Sequence, residues 1–220
     1  MPQPPPADCC FVAAYRRLYA DAATHLENDD ADSAMILALA KGRCTRTQVV
    51  RWMRAYGLFR GVRTHARERI ADAFLEFARL PRNPVKGDAN NLLQAEFRHL
   101  LTGLVEAVPR GWLSATSKLL WCLHPEHVVI YDAFVLRAVT VLQSLAPALQ
   151  GTPPLGAPPL IRAGADVDAA SGWYWRYATK VNTLHQATAA LRCELTEQHG
   201  VPGRHAIRIT DKVLWKLGAT

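Results

Sequence analysis

Apolar residues recur along almost the whole chain at the spacing of a helix face and almost nowhere at the alternation of a strand, which excludes a sheet-built core. Helices are expected over about 10–27, 32–41, 45–57, 62–80, 90–107, 114–124, 133–146, 173–199 and 204–217. The punctuation agrees. Gly42, Gly57 and Gly200 stand where helix C-caps are wanted, and Pro81, Pro84, Pro109 and Pro125 stand where helices must stop. Only Val128 to Tyr131 looks strand-like, and it is too short and isolated to seed a sheet. The expected fold is all-α. One helical domain over 9–220 follows a disordered leader, 1–8, with two lobes, 9–110 and 111–220, as the finer division. From 146 to 171 the chain turns Pro- and Gly-rich, as an exposed loop or insertion would.

The leader Met-Pro-Gln-Pro-Pro-Pro has neither the charged start nor the apolar stretch of a secretion signal. No apolar run approaches the ~20 residues that a membrane span requires. A cytoplasmic protein without membrane contact is expected, taken as a monomer. Five cysteines are scattered without a Cys-x-x-Cys pair, which argues against a disulfide framework and a zinc ribbon. No metal and no other cofactor is expected.

Net charge is +7 at pH 7. Its distribution says more than its size. Lys41, Arg43, Arg46, Arg51, Arg54, Arg60, Arg63, Arg67 and Arg69 are nine basic residues against the single acid Glu68, so this segment alone carries +8. All the excess positive charge is therefore local, as expected if one face meets the phosphates of DNA.

Candidate chemistry lies further on, in Ser114-Ala-Thr-Ser-Lys118-Leu-Leu-Trp-Cys-Leu-His-Pro-Glu-His-Val-Val-Ile-Tyr-Asp132-Ala. Ser114 reads as a helix N-cap, which places Lys118 in the first turn. There the positive end of the helix dipole disfavours an ammonium, so the lysine is expected to react as a free amine. Asp132 reads as the N-cap of the next helix, where a carboxylate is favoured.

The stretch from Trp112 to Val135 resembles the active-site region of the helix-hairpin-helix DNA glycosylases, in their 8-oxoguanine-glycosylase-like branch. Thr116-Ser-Lys118-Leu-Leu occupies the place of the helix start that carries that branch's catalytic lysine. Ile130-Tyr-Asp132-Ala occupies the place of its catalytic aspartate. The same text is similar to short bacterial proteins that keep this fold, some of which resemble phage-defence factors. The resemblance implies removal of a damaged or modified base from DNA, with or without strand cleavage. Lys118 would attack C1′ of a flipped nucleotide and Asp132 would stabilise the cationic sugar. The glycine hairpin usual in the superfamily is degenerate here, Val108-Pro-Arg-Gly-Trp with Gly111 alone, so Arg110 and the amides near Ser114 are expected to take its phosphate.

An alternative comes from the segment 45–57. With Thr45 as cap and arginines along one side it looks like a helix-turn-helix recognition helix, which implies DNA binding without cutting. The aromatic cluster around Trp173, Tyr174 and Tyr177 has helical spacing that puts Trp173 and Tyr177 on one face and Tyr174 on another, so one set is expected in the core and the other exposed. With Trp112 these are the candidate base-pocket residues, though core packing is the better reading. His124-Pro-Glu-His127 has the wrong order and a proline for a zinc helix, and His124 reads as a helix C-terminal cap. In the last helix Asp211 and Lys212 are expected outward, with Leu214, Trp215 and Leu217 closing the core.

Overall fold

The computed structural model describes residues 6–26, 30–81, 89–161, 166–201 and 205–220. Ten α-helices and one 3₁₀ turn, with no strand among the described residues, make the fold all-α. They are α1 (Pro6–Leu26), α2 (Asp30–Ala40), α3 (Arg46–Ala55), α4 (Thr64–Arg79), α5 (Ala89–Ala107), α6 (Leu113–Leu123), α7 (Ala133–Leu145), α8 (Val167–Ala187), α9 (Ala189–His199) and α10 (Ala206–Ala219). No helix among the described residues is long and apolar enough to cross a membrane. Of the expected leader, residues 1–5 lie outside the described residues, and Pro6 already opens α1.

The helical periods predict these elements closely, with two differences. The helix expected over 173–199 begins at Val167 and divides at Thr188, whose hydroxyl donates back to the carbonyl oxygens of Leu184 (2.9 Å) and His185 (3.2 Å). Such a threonine offers the backbone a local alternative to the helical ladder. Within the stretch expected as a loop, Pro147–Leu149 form the 3₁₀ turn and Leu149 and Ile161 are buried.

The chain forms two compact units. One comprises Asp30–His124 with Ala157–Trp175, and here it is called the central unit. The other comprises Met1–Asp29, Pro125–Gly156 and Arg176–Thr220, and is called the terminal unit.

In the central unit α4 packs on α5, α5 on α6, and α3 on both α2 and α4. Phe74, Phe97, Leu100, Leu101, Leu104 and Trp121 fill its interior. Phe97 stacks face to face on Tyr174, with ring centroids 3.8 Å apart and planes 2° from parallel.

In the terminal unit α10 packs on α7 and α1. Gly218 is required by that packing: a Cβ there would come within 1.8 Å of the carbonyl oxygen of Phe134, so α10 and α7 touch backbone to backbone. A small cluster of Tyr15, Tyr19, Leu195, Ile209 and Val213 ties α1 to α9 and α10. The expected faces of α10 need correction. Asp211 is buried at 4% exposure and bound by Arg208, whose Nη1 lies 2.5 Å from its carboxylate, while Trp215 is 39% exposed. The buried arginine neutralises the aspartate and so reverses the face that a lone carboxylate would take.

Candidate nucleic-acid interface

Helix α3 is built to keep its cations outside. Val49, Trp52 and Met53 enter the core, and Thr47, Arg51 and Arg54, at i, i+4 and i+7, line the exposed opposite side. Its start is fixed by a capping box. Thr45 Oγ1 accepts from the Gln48 amide (3.3 Å) and Gln48 Oε1 accepts from the Thr45 amide (2.8 Å), which bears out Thr45 as the cap. At the far end Gly57 adopts φ +66°, a left-handed turn that side-chain-bearing residues rarely take.

The back of α3 is anchored by a residue for which the sequence offers no functional signal. Asp32 of α2, only 3% exposed, accepts from Trp52 Nε1 (2.8 Å) and from the Tyr56 hydroxyl (2.5 Å). A buried carboxylate with two such donors fixes the rotation of α3 about its axis. In sequence Asp32 is merely one of several acids at a helix start.

Of the nine basic residues between Lys41 and Arg69, eight are exposed and Arg67 is half-buried. Arg67 is used locally, its guanidinium 5.7 Å from the Phe59 ring centre and its Nε donating to the Val62 carbonyl. Arg46 pairs with Asp72 at 2.6 Å, which raises the guanidinium pKa above its ordinary value through that hydrogen bond. Arg110, expected to replace the hairpin glycines, is committed within the unit. Its Nη1 donates to the Arg60 carbonyl oxygen (2.6 Å) and its guanidinium stands 5.1 Å from the Trp112 ring centre. It thereby braces the α3–α4 turn that carries Arg60 and Arg63.

Lys118 sits elsewhere on its helix than expected. Because α6 opens at Leu113, with Trp112 as a cap whose side chain makes no capping bond, Ser114 is its second residue and Lys118 its sixth. That is the second turn, beyond the reach of a dipole effect that fades within the first. Ser114 serves the lysine instead: its Oγ accepts from Lys118 Nζ at 2.8 Å. Nζ also stands 5.9 Å from the centre of the Tyr56 ring, and Lys118 is 6% exposed. Tyr56 therefore touches both a buried carboxylate, Asp32, and a buried amine, Lys118, in a polar cluster drawn from α2, α3 and α6. At the end of α6, His124 is the C-cap and its Nε2 meets Glu96 at 2.6 Å.

Asp132 belongs to the terminal unit and is the N-cap of α7, its Oδ1 accepting from the Phe134 amide at 3.0 Å. That local expectation holds.

The base-pocket candidates do not divide into an exposed and a buried set. Trp112, Trp173, Tyr174 and Tyr177 are all buried. Tyr174 is held by the stack on Phe97, Tyr177 donates to the Ile130 carbonyl (2.9 Å), and Trp112 Nε1 donates to Val108 (2.8 Å). Period alone assigns these residues to faces, whereas the neighbours that cover each face come from distant segments. Two grooves border α4, one of about 790 Å³ reaching His99 and Glu106 and one of about 490 Å³ reaching Cys44 and Arg79; Lys118 lines neither.

Among the described residues no group of three His, Cys, Asp or Glu side chains is placed to hold a metal ion. Comparison with protein families, curated proteins and solved structures finds no match for this chain.

Proposed function

We propose that this protein is a DNA glycosylase of the helix-hairpin-helix kind, with a degenerate hairpin, that docks on DNA through the arginine surface of α3 and the α3–α4 turn. The supporting observation is the exposed side of α3, where Arg51 and Arg54 are presented to solvent by a helix locked from behind. Localised positive charge of this kind binds phosphates and steers association. For the chemistry, the support is the resemblance around Lys118 and Asp132, together with a lysine held out of bulk water, where nucleophilic lysines typically work. In this reading the neutral Lys118 amine bonds to C1′ as the glycosidic bond breaks, and the base leaves with the bonding electrons and takes up a proton. Loss of the amine proton and opening of the sugar give the Schiff base.

Borohydride trapping tests this on duplexes carrying an oxidised guanine, an alkylated purine or a phage-type modified base. The wild-type chain should form a covalent complex with at least one of them, and folded Lys118→Gln should form none while still binding DNA. The base trapped would also separate repair of damage from defence against modified phage DNA. The second reading is DNA binding without base removal, favoured by the helix-turn-helix-like presentation of α3. DNA affinity without trapping on any substrate would decide for it.

A further inference from the structure

We infer that α3 is a reading helix that enters the major groove of duplex DNA, with Thr47, Arg51 and Arg54 against base edges and Arg43, Arg60 and Arg63 on flanking phosphates. This rests on DNA being the partner, and it holds whether or not a base is then removed.

The first argument is the division of labour among the arginines. Arg46 is engaged by Asp72, whereas neither Arg51 nor Arg54 has a hydrogen bond or ion pair among the described residues, and both are exposed. Their guanidiniums are available, and an arginine fork matches the O6 and N7 acceptors of guanine. Thr47 adds a methyl and a hydroxyl on the same side, suited to a thymine methyl or a polar base edge.

The second argument is shape. Ten residues make α3 about 15 Å long at 1.5 Å per residue. With its side chains an α-helix is about 10–12 Å across, which enters a B-form major groove about 12 Å wide, but not the deep, narrow major groove of an RNA duplex. The remaining arginines bracket it. Arg43 lies in the turn between α2 and α3, beside Gly42 at φ +62°, while Arg60 and Arg63 follow α3, with Arg63 as the N-cap residue of α4.

The third argument is rigidity. Base readout requires side chains held on a fixed support. The capping box at Thr45 fixes one end of α3, and the Asp32 carboxylate binds Trp52 and Tyr56 toward the other. Arg110 holds the following turn through the Arg60 carbonyl. A merely solvated arginine helix has no need of three such restraints.

Fluorescence anisotropy on the full chain tests this with duplex DNA, single-stranded DNA and duplex RNA of one sequence, after selection of a preferred site from a random duplex pool. Duplex DNA should bind at least about 10-fold more tightly than duplex RNA. Arg51→Ala and Arg54→Ala should each weaken the selected site about 10-fold or more, with a much smaller loss on unrelated duplexes. Arg43→Ala and Arg63→Ala should weaken all duplexes alike and reduce the salt slope by about one. Because all four side chains are exposed, the variants should melt with the wild type. Equal affinity for duplex DNA and RNA, or a uniform loss in Arg51→Ala and Arg54→Ala, overturns the inference and leaves the DNA-binding function standing. Absence of binding to any nucleic acid overturns both.

Discussion

Helices α3 and α10 carry the same ingredients, an apolar stripe with basic residues and a tryptophan, but they dispose of them in opposite ways. In α3 every arginine faces solvent and Trp52 is buried. In α10 Arg208 is buried with Asp211, and Trp215 faces outward. The polar demand beneath α3 is met from another helix, by Asp32, whereas α10 meets its own with a pair at i and i+3. A helix whose charges are neutralised internally can turn them toward the core. One whose charges have no such partner must present them to water or to a ligand. This contrast is why α3, and not α10, is the candidate interface.

The largest effects should come from the buried sides of both helices. Asp211→Ala would leave Arg208 as a buried charge without its carboxylate and should cost about 3–5 kcal/mol, measured by urea unfolding. Replacing both with Met and Leu should recover most of that loss; if the double variant is as unstable as the single one, the pair is not the cause. Trp52→Ala should cost a similar 3–5 kcal/mol, through the cavity and the lost donor to Asp32. Gly218→Ala should follow at about 3 kcal/mol, because its Cβ would meet the Phe134 carbonyl and only a shift of backbone can relieve it. A neutral result would mean that α7 and α10 are not held at that distance.

A smaller effect should appear with pH in the terminal unit. Burial and the nearby Arg192 lower the His185 pKa to about 4, and its Nδ1 lies 2.8 Å from Thr210 Oγ1 of α10. The folded value lies below the ordinary 6.5, so the unfolded chain binds the proton more readily. Stability is therefore intact above pH 6.5 and falls as pH drops toward 4, after which this contribution levels off. Half-burial reduces the full linkage to on the order of 1–2 kcal/mol. Unfolding at pH 7.5 and pH 5 should show much of that loss in the wild type and not in His185→Gln. Equal losses in both would assign the acid sensitivity to another group.

The sequence makes the helices legible because each apolar stripe is a local pattern, and the ends are legible because Pro and Gly act locally too. The arginine face of α3 can be read for the same reason. What surrounds Lys118 cannot. Ser114 lies one turn before it on the same helix, but Tyr56 and the Asp32 that Tyr56 binds come from elsewhere in the chain, and no spacing announces that they meet it. The shift of the α6 cap by two residues is enough to move Lys118 from the first turn to the second, since Trp112 rather than Ser114 closes the helix start. Asp211 fails differently. Its partner is only three residues away, but a charged pair on an amphipathic helix looks the same in sequence whether it faces water or core.

The smallest effect should be at the second tryptophan. Trp215 is 39% exposed and touches the Phe134 ring edge-on, with centroids 5.4 Å apart, so Trp215→Ala removes one aromatic contact and part of a buried surface. The expected cost is about 1 kcal/mol, well below that of Trp52→Ala. Thermal or urea unfolding of the two variants side by side compares one residue type on the two helices. A loss at Trp215 as large as that at Trp52 would mean that α10 hides its tryptophan as α3 does, and the asymmetry that singles out α3 would disappear. A small loss leaves α10 as a packing helix with an incidental surface aromatic. Arg51 and Arg54 of α3 then remain without an explanation internal to the fold.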